Sequence, residues 1–592
     1  MATRMKPVDA VIVGLGWTGS IFAKELTDAG LSVVALERGR PRDTDPDFQP
    51  GRIHDELAFA VRHQIMQDPS RETLTFRNSM REVALPMRQL GSFLPGEGVG
   101  GAGVHWNGQH WRFLPSDFKI RSHVTQRYGR NVVAEDMTIQ DWPVSYDELE
   151  PHYDRFEQVC GTTGKAGNLK GQIIPGGNPF EGPRSREYPN PPMKPTQSMV
   201  LFAKAAAETG YHPFPQPASN ASQAFTNAYG IAMGACVYCG FCERFGCEVM
   251  AKASPQASVL PALDQSKFEL RTQSQVLKVN LDSTRRRATG VTYMDAMGRE
   301  IEQPADIVVL AAYGLNNVHL MLLSGIGEPY DPSSGRGVVG KNYAYQIVSS
   351  ANLFFQNQSF NPFMGAGALG SVIDDANGDN FDHSGLGFIS GGYIIAGHTG
   401  ARPIQYHPVP EGTPKWGTGW KRAVKQWYGR SMAIATHGAV MSHRANYLDL
   451  DPTYKDAWGR PLLRMTFDYR DNDIKMSNHL TSVAEKIGKA MNPTHMMLKL
   501  AGTPYSIVPY QTTHNTGGAI MGDDPSNSAV NRFLQAWDVS NVFVPGASAF
   551  PQNAGYNPTG TVGALAYWAL EAIKRDYLKN PGPLEGAVAG RP

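Results

Sequence analysis

A short apolar run, Asp9-Ala10-Val11-Ile12-Val13, breaks into the glycine turn Gly14-Leu15-Gly16-Trp17-Thr18-Gly19. Apolar positions then take helical spacing at Ile21, Phe22 and Leu26, and Gly30 closes that stretch. Ser32-Val33-Val34-Ala35-Leu36 is a second apolar run, ending on the acid Glu37. Short apolar runs bounded by turn residues predict buried strands, and the spacing between them predicts a helix. Strand, glycine turn, helix, strand, acid is the setting in which G-x-G-x-x-G binds a dinucleotide. The glycines allow a tight turn and bring a pyrophosphate against free N–H groups at the helix N-terminus. Glu37, 18 residues after Gly19, is placed to accept hydrogen bonds from a ribose. The fingerprint alone leaves NAD and FAD both open.

Farther along, residues 161–195 are rich in Gly, Pro, Asn and charge and predict a long surface excursion. Phe268-Glu269-Leu270 and Gln275-Val276-Leu277-Lys278-Val279 read as strands. Asp306-Ile307-Val308-Val309-Leu310-Ala311-Ala312 reads as a buried strand that enters a helix through Gly314. Residues 343–504 lack the βαβ rhythm and predict an antiparallel or α+β region. The end of the chain returns to the opening pattern. Asn541-Val542-Phe543-Val544-Pro545-Gly546 is strand then glycine turn, and 561–573 is an apolar-faced helix. The expected nucleotide-binding domain is therefore discontinuous. It comprises 1–115, 225–342 with a Cys-rich insertion at 234–250, and 508–592. Residues 116–224 and 343–507 form a substrate domain and surface excursions.

Composition narrows the function classes. Lys plus Arg total 55 and Asp plus Glu 54, a net charge of +1, which argues against a nucleic-acid binder or a polybasic membrane-surface protein. The 41% hydrophobic content excludes disorder as the main state. No uninterrupted apolar stretch reaches the length of a membrane span. The most apolar run, 307–326, is broken by Asn316, Asn317 and His319. The first residues show no export signal, an expectation compatible with a cytoplasmic chain or with one exported on a signal-bearing partner.

Of five cysteines, Cys236, Cys239, Cys242 and Cys247 fall within twelve residues, and Cys160 stands alone. Disulfides across two-residue gaps would close strained loops, so this is a poor disulfide framework. The C-x₂-C-x₂-C-x₄-C spacing suits thiolate ligands of an iron–sulfur cluster or a Cys₄ zinc site.

Four segments in order resemble the glucose–methanol–choline (GMC) family of flavin oxidoreductases. They are the fingerprint with Glu37; the Gly98-Val99-Gly100-Gly101-Ala102-Gly103-Val104-His105-Trp106-Asn107-Gly108 segment; Val308 to Gly314 with Leu322 to Gly327 and Val338-Val339-Gly340-Lys341-Asn342; and Thr513-His514-Asn515-Thr516-Gly517-Gly518 followed by Val542 to Ser548 and Tyr556-Asn557-Pro558-Thr559-Gly560. The resemblance implies an α/β plus α+β architecture: a Rossmann-like FAD domain with a substrate domain on a mainly antiparallel sheet. It implies FAD contacts from Gly14, Gly16, Trp17, Thr18, Gly19, Glu37 and Arg38, and from Gly100, Gly101, His105, Asn107 and Gly108. Further contacts are expected from Val276, Ala312, Gly546, Ala547, Asn557, Pro558 and Thr559.

Family members pair an active-site His with a second His or Asn about forty positions later, and His514 and Asn557 stand 43 apart. Alone, His514 is one of 16 histidines and Asn557 suits an Asx turn before Pro558. Together they match alcohol oxidation, which needs a base for the hydroxyl proton while the hydride leaves for flavin N5. Asn557 can bond the same oxygen without competing for the proton. His105 lies four positions after Gly101, the offset of relatives that link flavin covalently to histidine; a packing histidine is the alternative. The cysteine insertion resembles the bacterial sugar and sugar-acid dehydrogenase large subunits of this family. There a three-iron, four-sulfide (3Fe–4S) cluster passes electrons from flavin to a multihaem cytochrome c. That implies a dehydrogenase acting on a sugar acid or sugar, D-gluconate to its 2-keto acid first. Fructose, sorbitol, glucose or a glycoside C3 are the alternatives, and a non-catalytic flavoprotein with structural zinc is a remoter one. The resemblance also implies a small signal-bearing subunit, and membrane contact only through partners at the periplasmic face.

Overall fold

The protein is described by a computed structural model covering residues 2–48, 65–397 and 407–584. The opening pattern folds as expected. Val8–Val13 and Val33–Leu36 are strands, with helix Trp17–Asp28 between them. They lie side by side in an eight-stranded sheet, in parallel register with Phe268–Arg271 at one side and Glu300–Leu310 at the other. Ala10 to Val13, Val33–Leu36 and Ile307 to Leu310 are apolar on both faces because both faces are covered, whereas Phe268–Arg271 at the edge is largely exposed. Ala288–Met294 and Gln275–Leu281 extend the sheet antiparallel. The two-residue strand Val542–Phe543 joins parallel to Val308 and Val309, bringing the last glycine turn beside the first.

A second sheet has six strands, all antiparallel: His495–Lys499, Gln346–Phe354, Ser431–Ala439, Gly392–Gly397, Gly370–Ile373 and Phe214–Pro215. Its strands alternate buried and less buried positions, as a sheet covered mainly on one face does. The 20-residue helix Asp471–Ala490 packs on strands Gln346–Phe354 and Ser431–Ala439. A four-stranded sheet pairs Thr75–Arg77 with Pro461–Thr466, tying the N-terminal third of the chain to the C-terminal third.

Residues 161–195 carry little regular structure, as expected, but they are pinned to the interior. Arg184 is buried and pairs with buried Glu157, which also takes Arg112 in two bonds of 2.8 and 2.9 Å. The two guanidiniums hold the Glu157 carboxyl far below the usual carboxylate range despite its burial. Helix Thr559–Ala572 packs against Tyr146–Cys160 and Trp17–Asp28, so its N-terminus is delivered to the same cleft as the fingerprint helix.

Candidate active site

One long cleft runs from the fingerprint turn to the six-stranded sheet. Its first half is a backbone cradle. Gly14 has φ +90° and a Cβ there would meet the Ala311 carbonyl at 2.7 Å, so only glycine lets the first and fourth strands approach. Gly101, at φ +51°, faces Gly16 across the cleft floor. Helices Trp17–Asp28, Gly314–Ser324 and Thr559–Ala572 all start at this cleft, and none has a side-chain cap at its N-terminus. Three sets of free N–H groups with their dipoles fit the anionic pyrophosphate and electron-rich ring of a flavin dinucleotide. The Asn317 amide joins the walls: its oxygen accepts from Ala312 N–H at 2.8 Å and its nitrogen donates to the Pro545 carbonyl at 3.1 Å.

Of the residues expected at the cofactor, Gly14, Gly16, Trp17, Thr18, Glu37, Arg38, Gly101, His105, Asn107, Val276, Ala312, Gly546, Ala547, Asn557, Pro558 and Thr559 line the cleft. Gly19, Gly100 and Gly108 stand behind the wall. A Cβ on Gly19 would strike the Gly14 carbonyl at 2.0 Å, one on Gly100 the Gln256 amide, and one on Gly108 the Asn220 amide. Glu37 is buried, and its carboxylate already accepts from Leu15 N–H at 3.1 Å and Gly39 N–H at 2.9 Å. It therefore braces the fingerprint turn, and only its remaining lone pairs face a ribose. Arg38 is ion-paired to Glu72.

At the other half of the cleft, His514 and Asn557 meet: Asn557 Nδ2 lies 2.8 Å from His514 Nε2. The opposite ring nitrogen, Nδ1, is 2.6 Å from Gln346 Oε1. Gln346 Nε2 donates to the carbonyls of Ala554 and Tyr556, both at 2.8 Å, which turns its oxygen toward the imidazole. The proton must then sit on Nδ1, leaving the Nε2 lone pair toward Asn557 and the cleft. The Tyr393 hydroxyl, 2.8 Å from Asn557 Oδ1, orients the amide so that its nitrogen faces His514.

Burial, with His437 adding to it, lowers His514 to about 3. The ring is therefore neutral and able to take a proton at any ordinary pH. Flavin reduction at saturating substrate should accordingly show no acid limb near pH 6.5, as followed anaerobically from pH 5 to 8. Stability behaves differently: His437 is lowered to about 4 by burial and His105 to about 3, chiefly by burial, so between those values and about 6.5 the unfolded chain binds more protons. Stability should fall as pH drops through that window.

The cysteine loop lies against the cleft, and none of its four thiols lines it. Glu243 and Arg244, between the third and fourth cysteines, are on the wall, and Arg244 N–H donates to the His105 carbonyl at 2.7 Å. The Arg244 guanidinium covers the Tyr510 ring at 4.2 Å. Buried Lys252 clamps the arrangement, its ammonium donating to the carbonyls of Trp106 and Cys242 at 2.7 Å and Phe245 at 2.8 Å. The thiols stand within electrostatic reach of one another and of Lys252, and burial pushes Cys236 up to about 12 and raises Cys239 and Cys242. Cys247 Sγ accepts from Lys252 N–H at 3.4 Å, and Cys242 Sγ from the Asn220 amide at 3.7 Å. Among the described residues no three His, Cys, Asp or Glu side chains are arranged as a metal-ligand set. Cys160 is buried elsewhere in the core.

A carboxylate-bearing substrate suggests a basic partner among residues 345–508, such as Arg402, Lys421, Arg422, Arg430 or Arg444. Arg402 lies outside the described residues; the other four are exposed and off the cleft. Gln346, Tyr393, His437, Arg244 and Lys252 bear on the site, yet no local motif marks them. Strand pairing and the loop's docking bring them there.

The GMC oxidoreductase family models match residues 197–348 and 442–566. The chain is 53% identical to the gluconate 2-dehydrogenase flavoprotein of Pantoea cypripedii, covering 99% of this chain and 96% of that one. It is 25% identical to the fructose dehydrogenase large subunit of Gluconobacter japonicus over 97% of this chain and 99% of the other. The fold is shared with pyridoxine 4-oxidase from Mesorbium loti at a TM-score of 0.57 and 17% identity, covering 95% and 98% of the two chains. With near-complete coverage by a relative more than half identical, the chain belongs to the GMC oxidoreductase family and is an FAD-dependent oxidoreductase acting on CH–OH donors.

Proposed function

We propose that this chain oxidises the C2 carbinol of D-gluconate to 2-keto-D-gluconate as the flavoprotein of a dehydrogenase complex. The observation that carries the reading is the His514–Asn557 pair, with its tautomer set by Gln346, on the cleft that holds the dinucleotide cradle. The 53% identity over nearly the whole chain supports the choice of substrate. When bound, FAD supplies the acceptor for the carbinol hydride. His514 Nε2 takes the hydroxyl proton as that C–H bond breaks and the C=O bond forms. One Asn557 Nδ2 proton holds the lone pair of His514 in the resting site, and the other is free to bond the substrate oxygen. The buried, neutral surroundings keep water from competing for the base.

His105 supports a covalent histidyl–flavin link. Its Nε2 is buried with no hydrogen-bond partner among the described residues, and burial keeps the ring neutral and nucleophilic. Denaturing the wild-type protein in acid should leave the flavin on the chain, and His105→Ala should release it. Flavin freed by acid from the wild type would reject the link.

Three of the four cysteines are proposed to hold an iron–sulfur cluster, 3Fe–4S by resemblance, with a 4Fe–4S cluster on all four as the alternative. It would discharge the two-electron flavin into one-electron haem carriers. The C-x₂-C-x₂-C-x₄-C spacing, the N–H groups on Cys242 and Cys247 and the buried Lys252 cation support a cluster there, around which the thiols would have to draw together. The same reading couples the chain to a small export-bearing subunit and a multihaem cytochrome c at the periplasmic face. Its relatives are named as a flavoprotein and a large subunit, which agrees with multi-subunit assembly.

Anaerobic flavin bleaching against gluconate, 2-ketogluconate, fructose, sorbitol, glucose and a glucoside tests the substrate, with gluconate expected to be fastest. Iron and acid-labile sulfide analysis tests the relay. Zinc without sulfide would end that part of the reading.

A further inference from the structure

The proposed proton transfer leaves one imidazole on the cleft unused. His437, on strand Ser431–Ala439, lines the cleft with its ring centroid 6.3 Å from that of His514. Its ring lies parallel to Tyr393, centroids 4.8 Å apart and planes 8° apart, and the Tyr393 hydroxyl bonds Asn557. The stack therefore holds His437 in register with the reacting pair. Its Nδ1 is buried and has no hydrogen-bond partner among the described residues. An unpartnered buried imidazole nitrogen costs about 1–3 kcal/mol unless something else bonds it.

The same corner lacks a cation. Among the described residues the basic side chains on the cleft wall are Arg38, Arg244 and Arg460. None of them leaves an electrostatic mark on either ring: burial alone lowers His437, and burial with His437 beside it lowers His514. His437 is only partly buried, and with 6.3 Å between centroids the two imidazoles are close enough for neighbouring carbons of one substrate to face one each.

On the reading of His514 as base, we propose that His437 determines specificity by donating a hydrogen bond to an oxygen on C1, the terminal carbon next to the oxidised C2 carbinol. The site is thereby restricted to 2-hydroxy acids and polyols with a terminal 1,2-diol. For gluconate that oxygen belongs to the C1 carboxylate, and recognition is by a fixed N–H donor in place of an arginine. A site with a committed donor rejects an analogue lacking the acceptor, because the donor is then left unpaired.

The test compares D-gluconate, sorbitol and 1-deoxysorbitol, in which a methyl group replaces the neighbouring oxygen-bearing group. His437→Phe keeps the stack on Tyr393 and removes both nitrogens; His437→Asn keeps a donor near Nδ1. Flavin content and melting temperature check that each variant folds. The ratio of kcat/KM for gluconate over 1-deoxysorbitol should fall about tenfold in His437→Phe, mainly through KM, and recover in part in His437→Asn. The same ratio in all three proteins, with both substrates slowed alike, would assign His437 to packing and overturn the proposal. Failure of wild-type protein to oxidise gluconate would refute the gluconate reading alone, since the sorbitol pair then carries the same comparison.

Discussion

Replacing His514 with alanine should slow anaerobic flavin reduction by about 10²–10⁴-fold while the protein keeps its FAD. The imidazole touches no part of the fingerprint cradle, and its protein partners are Gln346 and Asn557. Its loss therefore removes the proton acceptor without opening the dinucleotide site. Stopped-flow reduction by gluconate at saturating concentration reads the effect directly, and a rate unchanged within threefold would remove His514 from the chemistry. Asn557→Asp makes the complementary case. A carboxylate 2.8 Å from Nε2 stabilises the imidazolium, so the His514 pKa rises and the base becomes protonated as pH falls. The flat acid side of the wild-type profile should turn into a limb on which activity is lost toward low pH.

The second large effect is on the cysteine loop. Lys252→Met fills similar volume but removes the donor to the Trp106, Cys242 and Phe245 carbonyls. Each buried acceptor left alone costs about 1–3 kcal/mol. Removing an ammonium whose own pKa is lowered by burial returns part of that. The carbonyl term is larger because three acceptors each lose an N–H of the ammonium, and a net loss of about 3 kcal/mol is expected. The loss should be local. Amide exchange over residues 236–247 should accelerate by about two orders of magnitude and, with the proposed cluster, iron per flavin should fall, while the eight-stranded sheet keeps its protection. Unchanged exchange in that loop would show that Lys252 does not hold it.

The parallel core was legible because its strands are covered on both faces. Apolar runs such as 10–13 and 307–310 have no other way to fold in water, and the glycine turn after the first run has one well-understood geometry. Gly14 and Gly19 announce themselves because a Cβ at either would collide with backbone. The polar stretch 161–195 was legible only as irregular. Nothing in it singles out Arg184, which is buried because Glu157 and Arg112 on other segments complete a charge network around it. Glu37 was legible as an acid at the right place, but its three bonds from backbone N–H groups became visible only when Leu15, Gly39 and Gly98 were set around it.

From its order of residues alone this protein is determined to have a dinucleotide cradle at the start and a matching strand and helix at the end, with a His and an Asn 43 positions apart as the proposed reacting pair. Those features are local, or carried by motifs whose geometry follows from backbone sterics. Only the tertiary structure decided that Gln346 sets the His514 tautomer, that Tyr393 stacks His437 beside the pair, and that Lys252 fastens the cysteine loop to the His105 segment. Each of these joins residues more than forty positions apart. Such contacts arise from sheet register and loop docking, for which no single segment carries a local signal.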